Sequence, residues 1–271
     1  MSQRERMLEQ AAWVLATADP SEKCALAQNS APCPNISMLD QGLVPPDLPA
    51  RPDRPELHPP SKVPKRRLGS ETGRFALLHA IAHIEFNAID LAFDMALRFH
   101  DEITELGLDA DTFINDWSGV GEDEARHFQM VNARLNELGG VYGDLPAHDG
   151  LWDAAKGTQD SVTARLVVAP LVLEARGLDV TPGMIKKLNS VGDHQSAKIL
   201  ETIYNEEIGH VETGARWFER VCNATGRDQE ETFKSISKQR FRGILKPPFN
   251  DHARSKANLP RQFYAGDINA D

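Results

Sequence analysis

The sequence predicts an all-α protein, a bundle of four long helices with an arm at each end. Three observations carry this. Between about Glu71 and Cys222 apolar residues recur at steps of three and four, with few strand signals. The segments of that period exceed the usual globular helix length, as bundle helices do. Proline is concentrated outside them: ten of the 17 prolines fall between Pro32 and Pro64, a stretch such as Pro45-Pro46-Asp47-Leu48-Pro49 that can hold neither a helix nor a central strand.

Taken in order, residues 1–30 read as one or two short helices with a break at Asp19-Pro20, and the segment to Gly69 as an arm, packed on the body or partly disordered. The first long helix runs from Ser70 or Glu71 to Leu106, ended by Gly107, with Leu78, Ile81, Ala82, Ala88, Ile89 and Ala92 at helical spacing. The second runs from Ala110 to Leu138, ended by Gly139-Gly140, with Trp117, Val120, Phe128, Val131 and Leu135 on one face. A Gly-, Asp- and Pro-rich connection, 141–157, is long enough to cross from one end of a bundle to the other. The third helix spans about Asp160 to Arg176 and should kink at Pro170, which has no N–H. Thr181-Pro182 then reads as an N-cap and first helical residue, opening a separate short helix to Val191. Asp193 caps the fourth long helix, to Cys222; residues 228–240 form one more, and the last thirty residues form an extended tail. The expected division is 1–69 for the arm, 70–225 for the bundle and 226–271 for the C-terminal helix and tail.

Charge and composition narrow the function. Against 40 Asp and Glu there are 30 Lys and Arg, a net charge of -10, which disfavours wholesale wrapping of nucleic acid. Three cysteines, Cys24, Cys33 and Cys222, form no CxxC pair, so free thiols are expected rather than a disulfide framework or a Cys-rich zinc site. No apolar run approaches the roughly 18 residues of a membrane helix. The start, Met1 to Arg6, leads into no signal-type apolar core, so a cytoplasmic protein is expected.

The chemistry lies in acids placed where apolar residues belong. Glu124-Ala125-Arg126-His127 and Glu207-Ile208-Gly209-His210 are both Glu-x-x-His, a spacing that puts both side chains on one helix face. In so acidic a chain the spacing alone is weak. The positions decide: Glu124 and His127 interrupt the stripe of Trp117, Val120, Phe128 and Val131, and Glu207 and His210 that of Leu200, Ile203, Val211 and Phe218. Glu85 stands among Ile81, Ala82, Ala88 and Ile89, and Glu174 among Pro170, Leu171 and Leu178. Ionised groups on inward faces are costly unless paired or metal-bound. Glu85 lies 22 residues before Gly107 and Glu124 17 after it, so across an antiparallel hairpin they stand within about 8 Å in height. Two divalent cations carry the charge that four carboxylates and two neutral imidazoles cancel. Salt-bridged core acids are the alternative, and that needs four separate buried partners.

With one Glu from each of two helices and Glu-x-x-His from each of two others, residues 70–222 resemble the ferritin-like di-iron carboxylate superfamily. The Pro-rich arm, the run Asp123-Glu124-Ala125-Arg126-His127 and the tail from Lys246 to Arg254 look most like a bacterial ferritin-like family of unassigned function. More distantly, the chain is similar to the tRNA-modifying hydroxylase branch. The resemblance implies a ferritin-like four-helix bundle with a long crossover. It implies two iron ions held by Glu85, Glu124, His127, Glu174, Glu207 and His210, with manganese or a mixed Mn/Fe pair as alternatives and zinc fitting less well. It further implies an O2-activating oxidoreductase of hydroxylase or oxidase type, using O2 and an electron donor on an unidentified small-molecule or macromolecular substrate. Ferroxidation and iron storage, or a non-catalytic bundle stapled by metal, are the other readings.

Other residues carry weaker signals. His79 and His83 lie on a face about 120° from that of Glu85, which favours an inter-helix or surface role. Tyr204, one turn before Glu207, is a packed core tyrosine or, less favoured, a redox-active one. Asp90, Asp94, Asp123 and Asp193 are candidates to hold the outer nitrogens of His127 and His210. Two basic regions, Lys62 with Lys65, Arg66 and Arg67, and the tail from Lys234, read as solvated surface, with a lid or an anion contact as the alternative for the tail.

Overall fold

The structure is a computed structural model that describes residues 1–31, 33, 43–59, 62–63, 68–241 and 243–265. Lys65, Arg66 and Arg67 lie outside the described residues. Among those described, every regular element is helical; the one β-type pairing is an isolated parallel bridge between Leu57 and Ala147.

Two short helices come first. Helix α1, Gln3–Ala16, opens on a capping box in which Ser2 and Glu5 satisfy each other's backbone N–H. Asp19 then caps α2, Pro20–Ala27, with proline at the first position, where its missing N–H costs nothing. The long hairpin follows: α3, Glu71–Glu105, capped by Ser70, and α4, Ala110–Glu137, capped by Asp109, packed along their length. Gly107 and Gly139 close the two helices at φ of 73° and 85°, the left-handed region a side chain resists. The crossover holds one short helix, α5, Gly150–Lys156.

The next stretch departs from the expected fresh start at Pro182. Helix α6, Val162–Leu166, widens into a π-helical segment, Val167–Glu174, and passes without a break into α7, Ala175–Ser190. Pro170 sits within the wide turn, and the Ala175 N–H points at the Pro170 carbonyl five residues back. The missing N–H of Pro170 thus falls within a π turn, where the backbone pairing is already shifted from the α pattern. Pro182 lies inside α7 and opens no helix. Its missing N–H strands the carbonyl of Leu178, and the side chain of Asn250, from the tail, donates to that carbonyl at 3.0 Å. A distant residue supplies the bond the proline removes, which is why local sequence rules misplace the helix start.

Asp193 caps α8, His194–Thr225, which ends at Gly226 with φ of 65°. After α9, Gln229–Arg240, the tail carries two short helices, α10, Asp251–Lys256, and α11, Arg261–Tyr264, where an extended chain was expected. Leu8 and Leu15 of α1, Cys24 and Leu26 of α2, Ala253 of α10 and Phe263 of α11 belong to the same apolar core as the long helices. All three cysteines are free. One helix, Glu71–Glu105, does have the length and composition to cross a membrane, contrary to the sequence expectation. Its apolar window is 78% buried within the fold, as a core helix is.

Buried ion pairs fasten the outlying segments. Lys23 of α2 meets Asp90 of α3, Arg165 of α6 meets Asp94 of α3 at 2.5 Å, and Arg254 of α10 meets Asp179 of α7 at 2.7 Å; all six side chains are almost wholly buried. Removing one member of such a pair strands a charge in the core, at a cost of about 3–5 kcal/mol. Arg254→Met should lower the unfolding free energy in urea by about that amount and expose residues 246–265 to limited proteolysis. A stability within experimental error of wild type would show that the tail is not held by this pair.

Candidate metal centre

Four segments deliver acids and imidazoles to one level of the core. Glu85 comes from the middle of α3, Glu124 and His127 from α4, Glu174 from the last position of the π segment, and Glu207 and His210 from α8. Glu85, Glu124, His127 and Glu207 each offer a ligand atom within 4.8 Å of the others, a group that could hold a metal ion. Nδ1 of His127 lies 3.4 Å from both Glu85 and Glu124 and 3.7 Å from Glu207. Nδ1 of His210 lies 3.1 Å from Glu124 and 3.4 Å from Glu207. Glu174 stands outside the tight group but interacts electrostatically with Glu207, Glu124 and His210. The six residues therefore form two overlapping sets, one around Glu85 and His127 and one around Glu174 and His210, with Glu124 and Glu207 common to both.

Each imidazole turns Nδ1 inward and Nε2 outward. The outer nitrogen of His127 is 2.6 Å from Glu206, and that of His210 is 3.4 Å from Asp123. Arg126 binds both acids, Asp123 at 2.6 Å and Glu206 at 2.9 Å. An N–H held at Nε2 leaves the lone pair of Nδ1 facing the cluster, the arrangement a metal-binding histidine needs. Sequence reasoning named Asp123 among its candidates and missed Glu206. The available signal was its place: it precedes Glu207 as Asp123 precedes Glu124.

The inward-facing atoms have no hydrogen-bond partner. Both carboxylate oxygens of Glu124, Nδ1 of His127, Nδ1 of His210 and Oε2 of Glu174 are buried and unsatisfied. Buried polar atoms are nearly always paired, and an orphan calls for a specific cause, of which an ion is one. Five such atoms within one cluster of Glu and His match the donor set of a metal site.

Titration behaviour reflects this crowding. Burial, with Glu124 beside it, pushes Glu85 well above the ordinary carboxyl range; burial and Glu124 raise Glu207. Glu174 is pushed up to about 8 by burial and by the charges of Glu207 and Glu124. Burial also opposes ionisation of Glu124, yet His127 and His210 outweigh it and hold that carboxyl well below its usual value. Burial disfavours the imidazolium of His127, but Glu124 and Glu85 prevail and raise it to about 11; His210 is raised too, by Glu207, Asp123 and Glu124. Asp123 is held down to about 2 by its hydrogen bond with His210.

The remaining candidates have other duties. Asp90 and Asp94 are taken by Lys23 and Arg165, and Asp193 binds Arg134 at 3.0 Å and Arg74 at 3.1 Å. Nε2 of His79 accepts the Gly143 N–H at 2.9 Å, and His83 lies between the Tyr142 hydroxyl and the His148 carbonyl. Both histidines thus pin the crossover to α3, and burial lowers each to about 4. The Tyr204 hydroxyl accepts from Asn250 at 2.9 Å, and its ring lines a surface cleft with Pro182, Ile185 and Lys186.

Residues 16–265 match the family described as "Protein of unknown function (DUF455)", and the chain belongs to that family. An uncharacterized protein of Haemophilus influenzae is 39% identical over 258 residues, covering 93% of this chain and 90% of that one. No solved structure matches the chain.

The raised groups set a pH dependence for the metal-free protein. Glu174 keeps its proton in the folded state up to about pH 8, whereas in the unfolded chain it ionises near 4.5. The folded state therefore holds more protons in that window, and stability falls as pH rises through it, by at most about 1.4 kcal/mol per pH unit for one group. His127, ordinarily near 6.5 and raised to about 11, acts in the same direction above pH 6.5. In chelator, the urea midpoint should drop from pH 5.5 to 8.5, and Glu174→Gln should flatten the slope. An equally steep slope in Glu174→Gln would contradict this assignment.

Proposed function

We propose that the chain is a ferritin-like di-metal carboxylate protein and that its centre is that of an O2-activating oxidoreductase, of hydroxylase or oxidase type. The observation that carries this reading is the set of buried, unpartnered atoms on Glu124, His127, His210 and Glu174, residues that interact with one another within one cluster. Four carboxylates and two imidazoles balance two divalent cations, and a donor set rich in oxygen suits iron, manganese or a mixed pair better than zinc. Glu85 with His127 would hold one ion and Glu174 with His210 the other, with Glu124 and Glu207 placed to serve both.

When bound, two reduced metal ions supply the electrons that O2 needs and an oxidising centre for substrate. The chain's own residues do the rest. Glu206 and Asp123 orient the imidazoles through Nε2, and Arg126 holds the two acids in place. One turn away, Ile81, Ala82 and Ile89 on α3, Val120 and Phe128 on α4, and Ile203 and Val211 on α8 are buried and keep bulk water from the site. Among the described residues, the helix with the length and composition to cross a membrane is mostly buried within the fold, which supports a protein that works outside the membrane.

Aerobic addition of ferrous iron to metal-free protein should load about two irons per chain, from the ligand count, and consume O2, and Glu124→Ala should abolish both. Uptake near zero in the wild type would sink the proposal. Uptake of many irons by a very large assembly on size exclusion would favour iron storage, and uptake without O2 consumption a structural role. Glu206→Ala should weaken metal binding by about 10–100-fold, the usual effect of removing the partner that orients a ligating histidine; equilibrium competition with a chelator measures it, and an unchanged affinity would remove Glu206 from the centre.

A further inference from the structure

The π segment and α8 meet with no room to spare. A β-carbon on Gly214 would lie 2.5 Å from Cβ and 2.6 Å from Cγ of Pro170, where non-bonded carbons rest at about 3.5–4.0 Å. Both proline atoms belong to a ring closed onto the backbone, so neither can swing aside as the tip of a flexible side chain could. Any side chain at 214 must push the turn bodily away from α8. Pro170 lies four residues before Glu174, and Gly214 four after His210, so this contact joins the two segments that carry Glu174 and His210.

We propose that Gly214 is a positioning residue for the metal centre: its bare backbone lets the π turn seat against α8, and that seating delivers the Glu174 carboxylate to the position it shares with His210. This rests on the di-metal reading above and adds to it that the two ion positions depend on different parts of the fold. The set around Glu85 and His127 draws only on α3, α4 and α8 and has no member on the π segment. The set around His210 needs Glu174, whose Oε2 is buried without a partner. Relieving the overlap takes a shift of about 1 Å from the distances above, whereas metal–ligand distances tolerate about 0.2 Å. One methyl group at 214 should therefore remove one ion position and leave the other.

The test titrates cobalt(II), without oxygen, into metal-free full-length protein and follows metal per chain and the ligand-field absorption of each equivalent. Wild type is expected to take up two ions. Gly214→Ala should keep the first with unchanged affinity and bind the second at least about tenfold more weakly, as Glu174→Ala does. Gly177→Ala makes the same exchange three residues from Glu174, at a site where a β-carbon meets nothing within 4 Å, and should bind two ions as wild type does. The double variant Pro170→Gly with Gly214→Ala deletes both ring carbons that the new methyl meets and should recover the second ion; it carries the test if Gly214→Ala alone does not fold. Two ions of unchanged affinity in Gly214→Ala, equal loss in Gly177→Ala, equal weakening of both ions, or no recovery in the double variant would each overturn the inference alone. A wild-type chain that takes up no cobalt would overturn the di-metal reading and this inference with it.

Discussion

The constraint that organises the molecule is the removal of four carboxylates and two imidazoles from water. An isolated ionised group in a protein interior costs several kcal/mol even after relaxation, and here six such groups share one level of the core. The protein alone compensates them in part. Glu124 ionises between two imidazolium rings, while Glu85, Glu174 and Glu207 are driven toward the protonated form. That arrangement satisfies charge but not hydrogen bonding, since the atoms turned inward remain without partners. Elsewhere on α3 the buried acids face cations, Asp90 with Lys23 and Asp94 with Arg165.

Holding such a cluster requires rigid delivery, and the arms contribute to it. Buried ion pairs add less net stability than their Coulomb attraction suggests, but breaking one is expensive, so they fix where a segment must dock. The tail docks on α7 at Asp179 through Arg254, and Asn250 spans three groups there: the Leu178 carbonyl left by Pro182, the Tyr204 hydroxyl on α8, and, through its backbone N–H, Asp179 itself. Leu178 is one turn beyond Glu174. The tail thus braces, from outside, the helix whose inner end supplies a carboxylate.

What could be read from the sequence follows from how local each cause is. The limits of α3 and α4 and the start of α8 were legible because apolar period, an Asp or Ser cap and a terminal glycine all act within a few residues. So were the six inward residues, since an acid in an apolar stripe conflicts with its neighbours. Pro182 is misplaced for the opposite reason. By local rules it opens a helix, but a side chain 68 residues away repairs the bond it removes, and the π turn around Pro170 has no local signal either. The docked tail was invisible because Arg254 and Asp179 show no pattern until the fold brings them together. The span-length window in α3 is hidden from a search for unbroken apolar runs because acids such as Glu85 interrupt it, although so few charges leave its average hydropathy high.

The two Glu-x-x-His motifs repeat a chemistry without repeating its details, and the difference has a physical consequence. In each, the acid just before the ligand Glu reaches across to the histidine of the other: Asp123 to His210, and Glu206 to His127. The two motifs therefore hold each other in register, and neither imidazole is oriented by its own helix alone. Symmetry would put a second arginine where α8 has Gly209, but a β-carbon there would meet nothing within 4 Å. A single arginine, Arg126 on α4, spans both acids, and the α8 side carries no counterpart. Cover over the cluster follows the same asymmetry: the Glu124 side chain is 1% exposed and that of Glu207 14%. The helix that lacks the second brace therefore also carries the more exposed of the two motif glutamates.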